Sequence, residues 1–321
     1  MVKVMKLVAQ HTLCTFCLLS LVIAQLASPI SRVSGQESPG RSSVNANEFV
    51  SSNLNSSSRG KLSSDRLSSI LFSSELESQH PLQPLLAEAR QALKRIEQDV
   101  HDYTCTLVKR ERIAGKLLPQ ETLFAKVLHG DAEQEAERRS PDCLYLQFHS
   151  PAAVRGREIL FKNGGEPLEL LVRNGGRRLA FLTLVLEPTC PMAMQGNRYP
   201  VTDFGIKRLV ERMIRLGEKE LEYGECDVHV EEQATHDGRP CRTIEVLHPV
   251  RREHFIYHLA RIYVDEELQL PVCFEAYDWP SESEAEPPLL EKYSYRNVKL
   301  NVGLSGDDFQ RNNPNYSFSR R

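Results

Sequence analysis

His254 and His258 stand four residues apart, the spacing at which two imidazoles on one helix face hold a zinc ion. They fall at the start of a segment, Phe255–Val264, whose residues read as a β-strand. On a strand, positions i and i+4 share a face but lie about 13 Å apart, too far to share an ion. The pair is therefore expected to be exposed or hydrogen-bonded strand histidines, and no metal site is expected. His229 and His236 are separated from a shared geometry by the Asp237-Gly238 turn. A catalytic thiol needs a histidine close by to lower its pKa. Cys143 and His149 could share a strand face, but six residues of strand is about 20 Å. Gly303-Leu304-Ser305-Gly306 lacks the spacing of a serine nucleophile elbow and follows no parallel strand. The carboxylates are plentiful but scattered, so no acid–base pair stands out. No catalytic residue and no cofactor is assigned, and the chain reads as a non-enzyme.

Binding chemistry has more to draw on. Ile206, Leu209, Met213 and Ile214 form one helical stripe, and Leu144, Leu146 and Phe148 one face of a strand. Together with Phe181, Met192, Met194 and Tyr263 they are the candidate lining of an apolar cavity. Most such residues must be ordinary core, since any domain needs one. The hypothesis requires only that some face a void. Cys190-Pro191-Met192-Ala193-Met194 and Arg198-Tyr199-Pro200 form an unusual loop, read from its position and its flexible methionines as the cavity mouth.

Forty basic and 43 acidic residues are spread evenly along the chain for a net charge of -3. Neutralising phosphates takes clustered Lys and Arg, so a nucleic-acid partner is not expected. Six of the eight cysteines, Cys105, Cys143, Cys190, Cys226, Cys241 and Cys273, lie beyond the N-terminal region. Their spacing fixes no disulfide connectivity. None forms a CxxC or CxxxC pair, which argues against a zinc site.

Lys3 and Lys6 precede an apolar run, densest from Thr12 to Ala27. A charged start before a short apolar stretch is the layout of a secretory signal, assigned to residues 1–35. The competing reading is a retained anchor, for which the run is somewhat short against the about 20 apolar residues a bilayer needs. Cys14-Thr15-Phe16-Cys17 resembles a redox pair but lies inside this segment, and bulky Phe16 disfavours lipidation of Cys17. Residues 36–80 are rich in Ser, Asn, Gly and Arg and bury too little apolar surface to offset their ordering entropy. They read as a disordered linker, leaving one domain over 81–321.

Within that domain Pro84 opens a helical stripe of Leu85, Leu86, Ala89, Leu93, Ile96 and Val100. A second helix follows Asp203 or Thr202 as its cap and stops at Gly217. Strands are expected at Tyr103–Ile113, Glu121–Leu128, Cys143–Phe148, Glu158–Phe161, Leu168–Arg173 and Arg178–Leu186. More follow at Cys226–Glu232, Cys241–His248, Phe255–Val264, Pro271–Asp278 and Leu290–Asn301. Asn163-Gly164-Gly165, Asn174-Gly175-Gly176 and Asp237-Gly238 supply hairpin turns, because Asn and Gly tolerate positive φ. Short polar turns imply antiparallel neighbours. The result is α+β, with one large antiparallel sheet that must curl strongly and two helices covering its concave side.

The last third, ARIYVDEELQLPVCFEAYDW followed by LLEKYSYRNVKLNVGLSGDDF, resembles the closing strands of the LolA/LolB lipoprotein-carrier superfamily. The middle, GREILF and NRYPVTDFGIKRLVERMI, is similar to the planctomycete-type bacterial family of unknown function DUF1571. The resemblance spans about Leu85 to Phe318. It implies an incomplete β-barrel that is apolar inside and closed by helices. In carriers such a cavity takes acyl chains, and in relatives resembling the regulator MucB/RseB it senses lipid or lipoprotein.

The expectation is an exported protein of the periplasm or cell envelope that binds a lipid, lipoprotein or other apolar ligand. Its membrane contact would be transient at most. The alternative is a sensor or interaction module with a filled core that docks another envelope protein; a hydrolase ranks below both.

Overall fold

The computed structural model describes residues 80–130, 142–164, 168–175, 182–281 and 286–318. The signal segment, nearly all of the Ser-rich linker, Phe181, and parts of the turns Asn163-Gly164-Gly165 and Asn174-Gly175-Gly176 lie outside them.

Helix α1 (Leu82–Asp99) buries Leu82, Leu86 and Ile96. The chain then runs through β1 (Asp102–Ile113), the two-residue β2 (Lys116–Leu117), β3 (Glu121–Leu128), β4 (Asp142–Ser150), β5 (Glu158–Asn163), β6 (Leu170–Arg173) and β7 (Thr183–Leu186). A short helix α2 (Pro191–Met194) and the long α3 (Ile206–Glu220) follow. The second run of strands is β8 (Asp227–His236), β9 (Arg239–Leu247), β10 (Leu259–Asp265), β11 (Pro271–Tyr277) and β12 (Leu289–Leu300).

All of them join one antiparallel sheet of 12 strands in the order β7-β6-β5-β4-β3-β1-β12-β11-β10-β9-β8, with β2 attached to β1. The sheet is not closed, because β7 and β8 are its two ends. Each half is a meander, in which successive strands are antiparallel neighbours. The halves meet where β1 pairs with β12, from Tyr103 opposite Leu300 to Glu111 opposite Glu291. The expected α+β half-barrel with a single large sheet is the fold that forms.

Several local features differ from the sequence reading. Gly217 does not stop α3, which continues to Glu220. Instead it lets two helices approach: a Cβ there would lie 2.8 Å from Cδ2 of Leu86 on α1. Neither Asp203 nor Thr202 caps α3. Its first residue is preceded by Gly205 at φ 109°, and the Ile206 backbone N–H donates to the Tyr103 hydroxyl at 3.0 Å. Glycine is required at 205 both by that φ and because a Cβ would meet the same hydroxyl at 2.8 Å. Residues 255–258, expected as the start of a strand, belong to the connection after β9, and the strand begins at Leu259.

The strand pattern of β4 is correct, with Leu144, Leu146 and Phe148 on the face of the main core and Cys143 and Tyr145 on the other. The second face is nevertheless buried too. Phe309, Tyr316 and Phe318 from the C-terminal segment cover it, and the rings of Tyr145 and Tyr316 stack 3.8 Å apart.

Candidate functional site

The cavity that stands out lies between α1, α3 and the strands of the second meander, with a volume of about 570 Å³. Its helical walls are Leu82, Leu85, Leu86 and Ala89 from α1 and Val210, Met213, Leu216 and Gly217 from α3. Its floor alternates along the strands as a pleated sheet must: Ile244 and Val246 on β9, Ala260, Ile262 and Val264 on β10, Phe274 on β11. β10 sits between two hydrogen-bonded neighbours, yet Ala260, Ile262 and Val264 are only half-buried. An apolar side chain on an interior strand keeps such exposure only when the helix opposite does not reach it. That is the signature of a recess rather than a filled core.

Polar groups sit at intervals around this wall. Glu88 of α1 pairs with Arg242 of β9. Glu232, Arg95, Glu266 and Gln269 line it as well. At the end where β9 runs into the 249–258 connection, His248 is 1% exposed. Its Nδ1 lies 2.9 Å from the Tyr257 carbonyl oxygen, its ring stacks on Phe255 at 3.9 Å, and its Nε2 is 3.3 Å from Glu220 Oε2.

Of the residues singled out from sequence, Met213 is in the cavity wall. Leu144, Leu146, Phe148, Ile206, Leu209 and Ile214 are packed into the main core, away from the void. Met192 is 59% exposed on α2 and Met194 is half-buried; neither reaches the wall. Tyr263 alternates with Ile262 and Val264 and so faces the opposite side of the sheet, where its ring lies 5.0 Å from that of His236. Phe181 lies outside the described residues.

The loop expected to form the mouth serves another purpose. Glu291 of β12 is fully buried, and it accepts hydrogen bonds from Tyr257 at 2.6 Å, Tyr199 at 3.0 Å and Tyr293 at 3.1 Å. Arg198 Nε stands 3.3 Å from the same carboxylate, and the Arg212 guanidinium lies 4.0 Å from the centre of the Tyr199 ring. Nearby, Lys109 donates to Asn197 at 2.7 Å. The segment before α3 is thereby fastened to the sheet. Burial and the Glu291 charge both raise the phenol pKa of Tyr257, Tyr199 and Tyr293, so these hydroxyls stay protonated and donate.

The six domain cysteines form no disulfide. Burial pushes the thiols of Cys105 and Cys273 up to about 12 and that of Cys226 up to about 11, values at which the thiolate is scarce. His254 stacks on Tyr223 at 3.6 Å, while His258 Nδ1 donates to the His248 carbonyl at 2.9 Å, so the two serve separate local contacts. Among the described residues no group of three or more His, Cys, Asp or Glu side chains is gathered to hold a metal ion.

No curated protein sequence matches this chain. Solved structures with a similar chain path include a DUF1329 family protein from Desulfovibrio piger, 14% identical, covering 72% of this chain and 98% of that one with a TM-score of 0.35. A putative outer membrane lipoprotein-sorting protein domain from Vibrio parahaemolyticus is 12% identical, covering 70% and 96%, with a TM-score of 0.35. The Mycobacterium tuberculosis lipoprotein LppX is 11% identical, covering 69% and 97%, with a TM-score of 0.36. The family model described as protein of unknown function, DUF1571, matches residues 100–318, and the chain belongs to that family.

Proposed function

We propose that the chain is an exported, non-enzymatic protein of the cell envelope that binds a lipid, the acyl part of a lipoprotein, or another apolar molecule. The binding site is the recess between α1, α3 and β9–β11. One observation carries the reading: a void of about 570 Å³ whose wall is mostly aliphatic and aromatic with polar groups at intervals, a size within the range of small-molecule sites. Export rests on the charged start and short apolar run of residues 1–35, with 36–80 as tether and 81–321 as the working domain.

The test is to produce the full chain with its own leader in a bacterial periplasm and purify it without detergent. Native mass spectrometry and organic extraction then follow. A discrete added mass that extracts as lipid is the expected result. A bare polypeptide that also refuses added lipid would overturn the reading. It would turn attention to docking of another envelope protein, for which exposed Val250, Ile256 and Tyr223 offer a surface. The polypeptide mass also shows whether the leader is cleaved.

A further inference from the structure

A sheet that does not close leaves backbone N–H and C=O groups unpaired along its last strand. At one end of this sheet that strand is β8, which pairs only with β9 among the described residues. From Asp227 opposite Leu247 to Glu231 opposite Thr243 the pairing runs in unbroken register, and a bulge displaces the rest. Alternate residues of such a stretch turn their backbone groups away from the partner, so the free edge over 227–231 is a regular template for a further strand. The side chains alternate as well. Val228 and Val230 lie opposite Val246 and Ile244 of the recess wall, both are half-buried, and Val228 packs beside Leu85 of α1. Asp227, His229 and Glu231 point to the other face and are exposed. Neither Asp227 nor Glu231 has an ion pair among the described residues, and Glu222 just before the strand is exposed too. The opposite edge, β7, is Thr183-Leu184-Val185-Leu186 and carries no charge that could choose a partner.

We infer that β8 is a docking edge for an extended segment of another protein in which Lys or Arg alternates with apolar residues. The segment adds one strand to the sheet, and its backbone hydrogen bonds supply the affinity. Its apolar side chains continue the row of Val228 and Val230 beside Leu85. Its basic side chains stand next to Asp227 and Glu231, where opposite charges on neighbouring strands attract. A second copy of this chain fits the edge poorly, because β8 against β8 sets acidic side chains directly against acidic ones. The inference is independent of the apolar-ligand reading, since the edge and the recess are occupied by different molecules.

The test is fluorescence anisotropy of the purified full chain with a labelled seven-residue peptide of alternating Lys and Val. Two control peptides accompany it, one with Glu in place of Lys and one N-methylated at every amide. The Lys peptide is expected to bind about tenfold more tightly than either control. The double variant Asp227→Lys with Glu231→Lys is expected to lose about tenfold in affinity for the Lys peptide and to gain affinity for the Glu peptide. Both substituted side chains are exposed, and Asp227→Asn with Glu231→Gln serves if the reversed pair does not fold. Equal binding of the N-methylated peptide shows attraction by charge without strand addition and overturns the inference. Unchanged binding in the double variant places the peptide elsewhere and does the same. Dimerisation in sedimentation that the Lys peptide abolishes assigns the edge to a second copy instead. Failure of all three peptides to bind removes the docking edge and leaves the reading of the recess untouched.

Discussion

Glu291 shows how a charge survives complete burial in this protein. Three tyrosine hydroxyls donate to it, and two arginines stand beside it from the segment that precedes α3 and from α3 itself. Removing one member of such a buried set leaves its partners uncompensated, which is more harmful than the set is favourable. Glu291→Ala is accordingly expected to destabilise the domain by about 3 kcal/mol, measured by urea unfolding. Glu291→Gln, which keeps an acceptor for the tyrosines, should lose distinctly less. Ligand uptake is expected to follow folding in both variants, because Glu291 is not part of the cavity wall.

At the scale of elements, the separation of α1 from α3 sets the shape of the recess. Gly217 brings the helices together over Leu86; Arg90 with Glu218 and Lys207 with Glu97 clip them at the surface. Gly217→Leu should push Leu86 aside and project into the void. The expected loss is about 1–3 kcal/mol of stability from overpacking, together with loss of the bound mass in native mass spectrometry. Gly217→Ala is the control. Its contact is with the movable end of Leu86, and alanine gains about 1 kcal/mol of helix propensity over glycine.

Much of this architecture was legible in the residues. The stripe Ile206, Leu209, Val210 and Ile214 is buried along α3 as its period requires. The alternation on β4 orders both of its faces, and Asp237-Gly238 makes the β8–β9 turn with positive φ at both residues. The cavity was much less legible. A period says which face of an element turns inward, but whether that face meets a neighbour or a void depends on helices and strands far apart in sequence. Tyr263 has the opposite parity on β10 to Ala260, Ile262 and Val264, which hold the positions facing the recess; a shift of one residue changes the face. Residues 255–258 read as strand because Phe255, Ile256 and Tyr257 form a β-prone apolar run leading into β10, and in the structure Phe255 and Tyr257 are buried. Their burial comes from stacking on His248 and bonding to Glu291, which are contacts between elements with no mark in the local sequence.

Across the whole molecule, the face of the second meander opposite the cavity carries a ladder of opposite charges. Arg261 pairs with Glu245 and Glu275, and Lys292 with Glu275 at 2.6 Å. Burial alone would raise the Glu275 carboxyl, but hydrogen bonds from Lys292 and Tyr277 outweigh it and hold the pKa below its ordinary value. A carboxyl depressed in the folded state stabilises the fold above its unfolded pKa of about 4.3 and loses that contribution as pH falls through the folded value. The wild type should therefore exceed Lys292→Met in unfolding free energy most clearly above about pH 5, and the gap should close as the medium is acidified toward pH 3. Urea titrations across that range read the difference.

The pairing of β1 with β12 has a consequence for the time at which this fold can exist. Tyr103 opposite Leu300 and Glu111 opposite Glu291 join the first long strand of the domain to the last. A chain emerging N-terminus first can form the hairpins of each meander early, but the seam between them waits until nearly all of the domain is available. Contacts of such long sequence separation fold slowly. The two meanders therefore cannot be joined into one sheet until β12 has been synthesised.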